Sequence, residues 1–172
     1  EINNSVLTVG NFDGLHKGHS QIFKKMVQLC KTEKSKSVLI TFDPHPQTIL
    51  NRNKIDKIIL TPLNKKIDIL KSYNIDFLVI LKFDLKLAKM NATDFIENII
   101  IRKFNPIHLI LGYDHHFGNK RQGDYSLLNS YSKKYKFVIH KLEKYCLGNT
   151  QISSTRIRQL LNLGKVEEAN KL

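Results

Sequence analysis

Two short segments, one near each end of the chain, carry residue types that bind phosphate. Residues 10–19 contain two histidines three positions apart, which would share one face of a helix. Residues 152–158 place three hydroxyl side chains where a helix N-cap would lie, with Arg158 one turn beyond Thr155. A helix N-terminus adds N–H donors and a positive dipole end to each segment. Two such segments in one small domain predict chemistry on a nucleoside triphosphate.

Imidazole, hydroxyl and guanidinium groups in these segments are the candidates for phosphate binding, because all three donate hydrogen bonds to phosphate oxygens. The predicted catalytic residues are His16, His19, Ser154, Thr155 and Arg158. The predicted nucleotide-binding set contains the same residues together with Gly10, Asn11, Phe12, Asp13, Gly14 and Ser153. Within that set Asn11 can bond the nucleotide, and Asp13 can hold a histidine or face a Mg²⁺ shell. Ordinary caps and turns would explain many of these residues without function. The position of the histidines after a buried strand favours function.

The composition is that of a globular domain with an excess of lysine. The chain has 172 residues, of which 41% are apolar and 25% charged, and we interpret residues 1–172 as one domain. The net charge of +13 would suit a nucleic-acid binder, but only five of the 28 basic residues are arginine. We interpret the charge as a solvated surface that attracts anionic nucleotides, and expect no specific nucleic-acid partner.

Cysteine usage and the lack of long apolar runs predict a cytoplasmic protein. Cys30 and Cys146 are far apart and form no CxxC motif, so we expect a reducing compartment and no disulfide. No apolar run approaches the roughly 18 residues of a membrane span, and the first residues do not resemble a signal peptide. We therefore expect no membrane partner.

Short apolar, β-branched runs alternate with helical patterns along the chain. Strands are predicted over residues 6–9, 37–42, 77–81, 107–111 and 137–142. Helices are predicted over residues 17–31, 62–73, 93–103, 125–134 and 155–163, the third with Thr93 as its N-cap. Residues 43–46 are predicted to form a turn, because Pro44 and Pro46 interrupt helix and strand alike. The pattern predicts an α/β fold, a Rossmann-like parallel sheet with helices on both faces and ligands beyond the carboxyl ends of the strands.

A third polar loop, residues 112–124, contains Asp114, His115, His116 and Arg121. An aspartate with two histidines is typical of some metal sites, but adjacent residues rarely bind one ion and no third ligand has plausible spacing. We therefore interpret the loop as a substrate-binding segment and predict no dedicated protein metal site.

Taken together, these motifs resemble the adenylyltransferase module of the bacterial FAD synthetases, the bifunctional riboflavin kinase/FMN adenylyltransferases. The resemblance runs through nearly the whole chain. Its motifs are Gly-Asn-Phe-Asp-Gly at 10–14, His-x-Gly-His at 16–19, Phe-Asp-Pro-His-Pro at 42–46, Leu-Thr-Pro-Leu at 60–63, Gly-Tyr-Asp-His-His-Phe-Gly at 112–118, Gly-Asp at 123–124 and Ile-Ser-Ser-Thr-Arg-Ile-Arg at 152–158. The His-x-Gly-His motif at 16–19 and the Ser-Ser-Thr-x-x-Arg motif at 153–158 are shared by the wider HxGH nucleotidylyltransferases. The Pro-His-Pro and Phe-Gly loops make the resemblance specific.

The resemblance implies transfer of AMP from ATP, with Mg²⁺ on the triphosphate, to FMN, giving FAD and pyrophosphate. The FMN phosphate would attack the α-phosphorus in line and without a covalent enzyme intermediate, because a phosphate monoester is already largely anionic at pH 7. His16 and His19 would donate to the ATP phosphates as negative charge grows. Ser154, Thr155 and Arg158 would hold the β- and γ-phosphates from the opposite side.

The resemblance also implies a flavin site and a second module. The implied flavin-binding residues are Pro44, His45, Pro46, Asp114, Phe117 and Arg121, with Pro46 and Phe117 flanking the isoalloxazine ring. His115 stands where the family usually has phenylalanine. The family's members are normally fused to a riboflavin kinase module. Residues 1–172 do not include a riboflavin kinase module, so we expect no kinase activity from this chain.

Three alternatives stay open at this point. A different HxGH nucleotidylyltransferase, acting on another small phosphorylated substrate, would keep both phosphate-binding segments without needing the Pro-His-Pro turn. A nucleic-acid binder would use the net charge of +13 but would leave both segments unexplained. A regulatory nucleotide-binding domain without catalysis is the third, and the intact His16, His19 and Arg158 argue against it.

Overall fold

One parallel sheet organises the chain in the computed structural model, which describes residues 2–50, 59–148 and 150–172. Within these ranges five strands lie in the order β3-β2-β1-β4-β5. Their bounds are β1 Ser5–Val9, β2 Lys36–Asp43, β3 Phe77–Lys82, β4 Pro106–Leu111 and β5 Val138–Lys141. The strand order reverses beside β1, so the loops after β1 and β4 diverge and leave a crevice at the carboxyl edge of the sheet.

Helices cover both faces of the sheet, and the central strand β1 is buried along its whole length. Because side chains alternate along a strand, Val6 and Leu7 belong to different core clusters on opposite faces. The helices α1 Lys17–Glu33 and α3 Leu63–Lys71 cover the Val6 face. The opposite face is covered by α5 Ala92–Phe95, the π-helical segment Ile96–Ile101, α6 Arg102–Phe104 and α7 Tyr125–Tyr135.

Shorter elements complete the described part of the chain. They are α2 Pro46–Leu50, α4 Leu85–Lys89, a 3₁₀ turn Asn119–Arg121, an antiparallel hairpin of β6 Cys146–Leu147 and β7 Thr150–Gln151, and the helices α8 Ser154–Asn162 and α9 Val166–Asn170. The last two helices pack on each other through Ile157, Leu160 and Ala169, with Leu60 against them. No helix in the described ranges has the length and apolar character that crossing a membrane requires.

The predicted α/β fold with a parallel sheet and helices on both faces is confirmed. Each predicted strand agrees with its observed bounds to within one residue at either end. Continuous apolar runs mark the buried strands β1, β2 and β4, and also the edge strands β3 and β5, which are half-buried or exposed. The five predicted helices are also present. The helix predicted over residues 93–103 is α5, the π-helical segment and α6 in succession.

Two local predictions are wrong. Asn91, not Thr93, is the N-cap of α5: the Asn91 side-chain oxygen accepts the Asp94 N–H at 2.7 Å, and the Thr93 hydroxyl donates to that same oxygen at 2.7 Å. Residues 43–46 are not a simple turn, because β2 continues to Asp43 and Pro46 begins α2. A proline is tolerated in the first helical turn, where its missing N–H would have no partner in the helix.

Candidate functional site

The loop between β1 and α1 follows a strained path at the carboxyl edge of the sheet. Phe12 and Leu15 have φ values of +46° and +40°, in the left-handed region that residues with a side chain rarely adopt. Gly14 permits the turn at φ +81°, and its N–H donates to Thr61 Oγ1 at 3.0 Å. Strained backbone held by surrounding contacts is typical of ligand-binding turns, which favours the predicted role of residues 10–14.

His16 and His19 stack on each other at the start of α1. Their ring centroids are 3.7 Å apart, and the ring planes differ by 16°. The Nδ1 atom of each ring is buried without a hydrogen-bond partner in the described part of the chain. The structure therefore brings the two histidines together, but not on one helix face as predicted, because α1 begins at Lys17 and His16 is its N-cap with an extended backbone.

Burial keeps both imidazoles neutral when no ligand is bound. Desolvation lowers the pKa of His16 to about 4, although Asp114 and Asp13 oppose the change. Burial lowers the pKa of His19 well below its ordinary 6.5, and the neighbouring His16 and Lys66 lower it further. A neutral imidazole still donates one N–H hydrogen bond, and an anion bound beside it would favour the protonated form.

Two glycines make room for the aromatic rings around this pair. A Cβ atom at Gly18 would lie 3.0 Å from His16 Nδ1, and one at Gly10 would lie 3.0 Å from Phe12 Cζ. Phe12 in turn meets His19 edge-on, with ring centroids 5.3 Å apart. The small residues of the loop thus allow the histidine rings and their phenylalanine neighbour to occupy one compact cluster.

The start of α8 lies directly against the first loop. Ser153 is the N-cap of α8, and its side-chain oxygen accepts the Arg156 N–H at 3.2 Å. Ser154 Oγ donates to the Asp13 carbonyl oxygen at 2.7 Å across a separation of 141 residues. The Arg158 guanidinium forms an ion pair with the Asp13 carboxylate. The two segments that the sequence predicts to bind phosphate are therefore adjacent.

Asp13 anchors the loop to the segment that precedes α3. Its carboxylate is buried and accepts the Thr61 N–H at 2.9 Å and the Leu60 N–H at 3.3 Å, in addition to the bond from Arg158. A buried carboxylate needs such donors to offset its desolvation. The sequence predicts that Asp13 holds a histidine or faces a Mg²⁺ shell. The structure instead directs its carboxylate to two backbone amides and an arginine.

Other members of the predicted set are open or differently engaged. The side chains of Asn11 and Thr155 are exposed, and their contact with a nucleotide stays a prediction. The first N–H of α1 was expected to be free for a ligand, but the Lys17 N–H donates to the Leu172 carbonyl oxygen at 2.9 Å. Lys17 Nζ also points to this segment and donates to the Lys171 carbonyl oxygen at 2.5 Å.

The first group of predicted flavin residues connects β2 to α2. Pro44 is exposed, whereas His45 and Pro46 are buried. His45 Nδ1 accepts the Gln47 N–H at 3.2 Å, which fixes the orientation of the imidazole. The helix α2 packs against α4, and the residue after α4, Met90, accepts a backbone hydrogen bond from the loop that carries the second group.

The second group lies in the loop after β4. Asp114 and Arg121 are exposed, but Phe117 is 9% exposed and pairs through its backbone with Gly123. The His115 ring lies 5.7 Å from the Phe117 ring, and burial lowers the pKa of His115 to about 4 despite the opposing charge of Asp114. Phe117 is therefore mainly a core residue, and its predicted contact with a flavin ring stays a prediction.

A cavity of about 230 Å³ lies at the carboxyl ends of β4 and β5. It is lined by Leu111, Gly112, Tyr113, His115, His116, Asp124, Tyr125 and Lys141. The Tyr113 hydroxyl is hydrogen bonded to the Gln151 side chain, which connects the cavity to the hairpin that leads into α8. A cavity at the ends of two strands and beside the loop after β4 suits an organic part of a substrate.

The structure places Thr61 and Lys66 against the first loop; the sequence gives Thr61 only as part of the motif at 60–63 and does not single out Lys66. Thr61 contacts Gly14 and Asp13, as described above. Lys66 is 4% exposed, and its Nζ donates to the Asn11 carbonyl oxygen at 2.6 Å. A signal for Lys66 was present, because it precedes the apolar Leu70 by four positions and so shares the buried face of α3.

Several known proteins resemble this chain along its length. A bifunctional riboflavin kinase/FMN adenylyltransferase from Buchnera aphidicola subsp. Acyrthosiphon pisum is 36% identical over 173 residues, covering 100% of this chain and 55% of that protein. A protein of the same description from Buchnera aphidicola subsp. Schizaphis graminum is 38% identical over 170 residues, covering 98% of this chain and 54% of that protein. One from Escherichia coli is 31% identical over 156 residues, with coverages of 91% and 50%. The chain spans about half the length of the curated relatives it matches.

The fold also matches a solved structure. A crystal structure described as a macrolide-efflux protein from Streptococcus pneumoniae superposes with a TM-score of 0.85 and 26% sequence identity, covering 100% of this chain and 57% of that chain. The family model described as FAD synthetase matches residues 1–156, a range that contains the histidine pair, the Asp13 anchor and the start of α8. With this match over most of its length, the chain belongs to the FAD synthetase family.

Proposed function

We propose that this chain transfers the adenylyl group of ATP to the phosphate of FMN, giving FAD and pyrophosphate. The observation that carries the proposal is the contact between the loop of the histidine pair and the start of α8, in a member of the FAD synthetase family. Relatives that this chain matches over about half their length are described as FMN adenylyltransferases and riboflavin kinases. We assign the first of these two activities to residues 1–172.

The reaction needs alignment and charge stabilisation rather than a general base. An oxygen of the FMN phosphate attacks the α-phosphorus of ATP, and the bond from that phosphorus to the pyrophosphate oxygen breaks. The attacking phosphate monoester has its second pKa near 6, so it is already largely anionic at neutral pH. The protein therefore has to hold both phosphates in line and to stabilise the charge that develops on pyrophosphate.

We assign this stabilisation to the two adjacent segments. His16 and His19 donate from Nε2 to the ATP phosphates, since their Nδ1 atoms are buried. Thr155 is exposed and can reach the β- and γ-phosphates from the start of α8. Ser154 and Arg158 bond to Asp13 and so hold the start of α8 against the loop, with the guanidinium charge balanced by the Asp13 carboxylate.

We propose that Mg²⁺ enters as part of the ATP complex. Within the described ranges no group of three or more His, Cys, Asp and Glu side chains is arranged to hold a metal ion. Mg²⁺ commonly keeps several water ligands and binds through substrate phosphates, which is consistent with a site that lacks a protein cage.

The flavin and the nucleoside have separate candidate locations. We propose that FMN binds along the residues on either side of α4, from Pro44–His45–Pro46 to Asp114, Phe117 and Arg121. The cavity at the ends of β4 and β5 is our candidate for the nucleoside, because Tyr113 connects it to the hairpin before α8. If Asp114→Ala left the KM for FMN unchanged, the loop after β4 would have to be removed from the flavin site.

Incubation with FMN, Mg²⁺ and ATP labelled at the α-phosphate tests the reaction. Label recovered in FAD supports adenylyl transfer by this chain. His19→Ala should reduce turnover by roughly 10²–10³-fold, as loss of one preorganised donor does elsewhere. Gln28→Ala, an exposed substitution on the same helix, is the control and should be fully active. FMN binding without FAD formation, or normal turnover in His19→Ala, would contradict the proposal. Label on another phosphorylated acceptor would favour a different nucleotidylyltransferase.

A further inference from the structure

Lys66 is a buried cation that the proposed chemistry has not yet used. It lies on α3 with 4% exposure, and its Nζ donates to the Asn11 carbonyl oxygen at 2.6 Å and to Thr41 Oγ1 at 3.4 Å. In the described part of the chain no carboxylate forms an ion pair with it. Burial lowers the pKa of Lys66, while Asp13 and Asp43 oppose this from a longer distance. An ammonium group buried without an ion pair is unfavourable, which suggests that an anionic ligand supplies the missing charge.

The bonds of Lys66 fix one peptide unit of the loop. The Asn11 carbonyl oxygen accepts from Lys66 Nζ and from the Thr41 hydroxyl, the latter at 3.2 Å, so it faces the protein interior. In a trans peptide the C=O and the following N–H point in opposite directions. The Phe12 N–H therefore points away from Lys66 and Thr41, and it has no hydrogen-bond acceptor among the described residues.

The same bonds support an unfavourable backbone conformation. Phe12 adopts a φ of +46°, which a residue with a side chain rarely adopts without support from its surroundings. Two donors on the carbonyl oxygen of the preceding residue hold this peptide in place. Without them the Asn11–Phe12 peptide could rotate, and the Phe12 N–H would lose its fixed direction.

We propose that Lys66 is a positioning residue of the nucleotide site: its ammonium group holds the Asn11 carbonyl inward, so that the Phe12 N–H and the buried positive charge together receive a phosphate of ATP. The inference rests on the proposed function only for the identity of the nucleotide. A charge in a poorly hydrated interior acts more strongly on a nearby anion than the same charge in water. The lowered pKa of His19, to which Lys66 contributes, indicates that its field extends to the histidine pair.

Lys66→Met tests this role, with Lys65→Met as the matched control because Lys65 is the exposed neighbour on the same helix. Isothermal titration with ATP should show binding weakened by about 10- to 100-fold in Lys66→Met, the loss expected for a charged hydrogen bond, and no change in Lys65→Met. The KM for ATP should rise while the KM for FMN stays the same. The Phe12 amide resonance should shift on ATP addition in the wild-type chain and not in Lys66→Met.

A merely structural lysine would give a different result. Its replacement would lower the free energy of unfolding but leave the affinity for ATP unchanged, whereas replacement of a positioning residue lowers the affinity for ATP. Normal ATP affinity in Lys66→Met would overturn the inference. If that variant fails to fold, Thr41→Val removes the second donor to the Asn11 carbonyl and should weaken ATP binding severalfold, and normal affinity there would also overturn it.

The two proposals fail in distinguishable ways. If the wild-type chain forms no FAD but binds ATP in a Lys66-dependent manner, the positioning role stands and the proposed reaction falls. If the wild-type chain forms FAD and Lys66→Met binds ATP normally, the reaction stands and the positioning role falls.

Discussion

Acidification should destabilise the folded chain, because the half-buried His16 resists protonation. Desolvation lowers the pKa of His16 from 6.5 to about 4 in the folded protein. Between these two values the unfolded chain binds more protons than the folded chain, so the free energy of unfolding falls as the pH falls. The loss of stability begins below a pH of about 6.5 and grows as the pH falls towards about 4. One such group lowers the free energy of unfolding by about 2 kcal/mol between pH 7 and pH 5.

Urea denaturation at pH 7 and pH 5 measures this effect when the wild-type chain is compared with His16→Gln, which lacks the titrating ring. We expect the wild-type chain to lose about 2 kcal/mol more than His16→Gln between the two pH values. Gln28→Ala is the control, because it changes the same helix without removing an ionisable group, and it should lose as much as the wild-type chain. Equal losses in the wild-type chain and His16→Gln would refute the reasoning, since burial would then not hold the imidazole neutral.

Two further substitutions test the packing around the site. Gly18→Ala places a Cβ atom 3.0 Å from His16 Nδ1, so the ring must move. We expect FAD formation to slow by about tenfold or more while urea denaturation shows a free energy of unfolding within about 1 kcal/mol of wild type. Unchanged turnover would mean that the ring position does not matter. Ser153→Ala removes the N-cap of α8 and should cost about 1 kcal/mol in the same denaturation experiment. No loss of stability would show that another residue caps the helix.

The sheet could be predicted from the sequence because its signal is local. Residues 107–111 form an uninterrupted mostly apolar run that ends at Gly112, and such a run is typical of a strand covered on both faces. The contact between His16 and His19 was also predicted from local spacing, but its cause differs from the one expected, because His16 is the N-cap of α1 and not part of the helix.

The contacts that join the site could not be predicted, because they connect residues that are distant in sequence. Asp13 bonds to Leu60 and Arg158, which are 47 and 145 positions away, and no local pattern encodes either pairing. The prediction of the α5 N-cap was wrong for a different reason. Asn91 and Thr93 are both good capping residues two positions apart, and only the folded geometry decides between them.

The long separation between Asp13 and Ser154 has a consequence for synthesis on the ribosome. The two residues are 141 positions apart. At about 5–20 residues per second, the loop between β1 and α1 therefore emerges roughly 7–28 s before Ser154. During that interval the strands β1 to β5 can pair, but the loop lacks its anchor on α8. A nascent chain is therefore expected to acquire nucleotide affinity late and abruptly, when α8 docks, so that ATP binding reports completion of the domain rather than formation of the sheet.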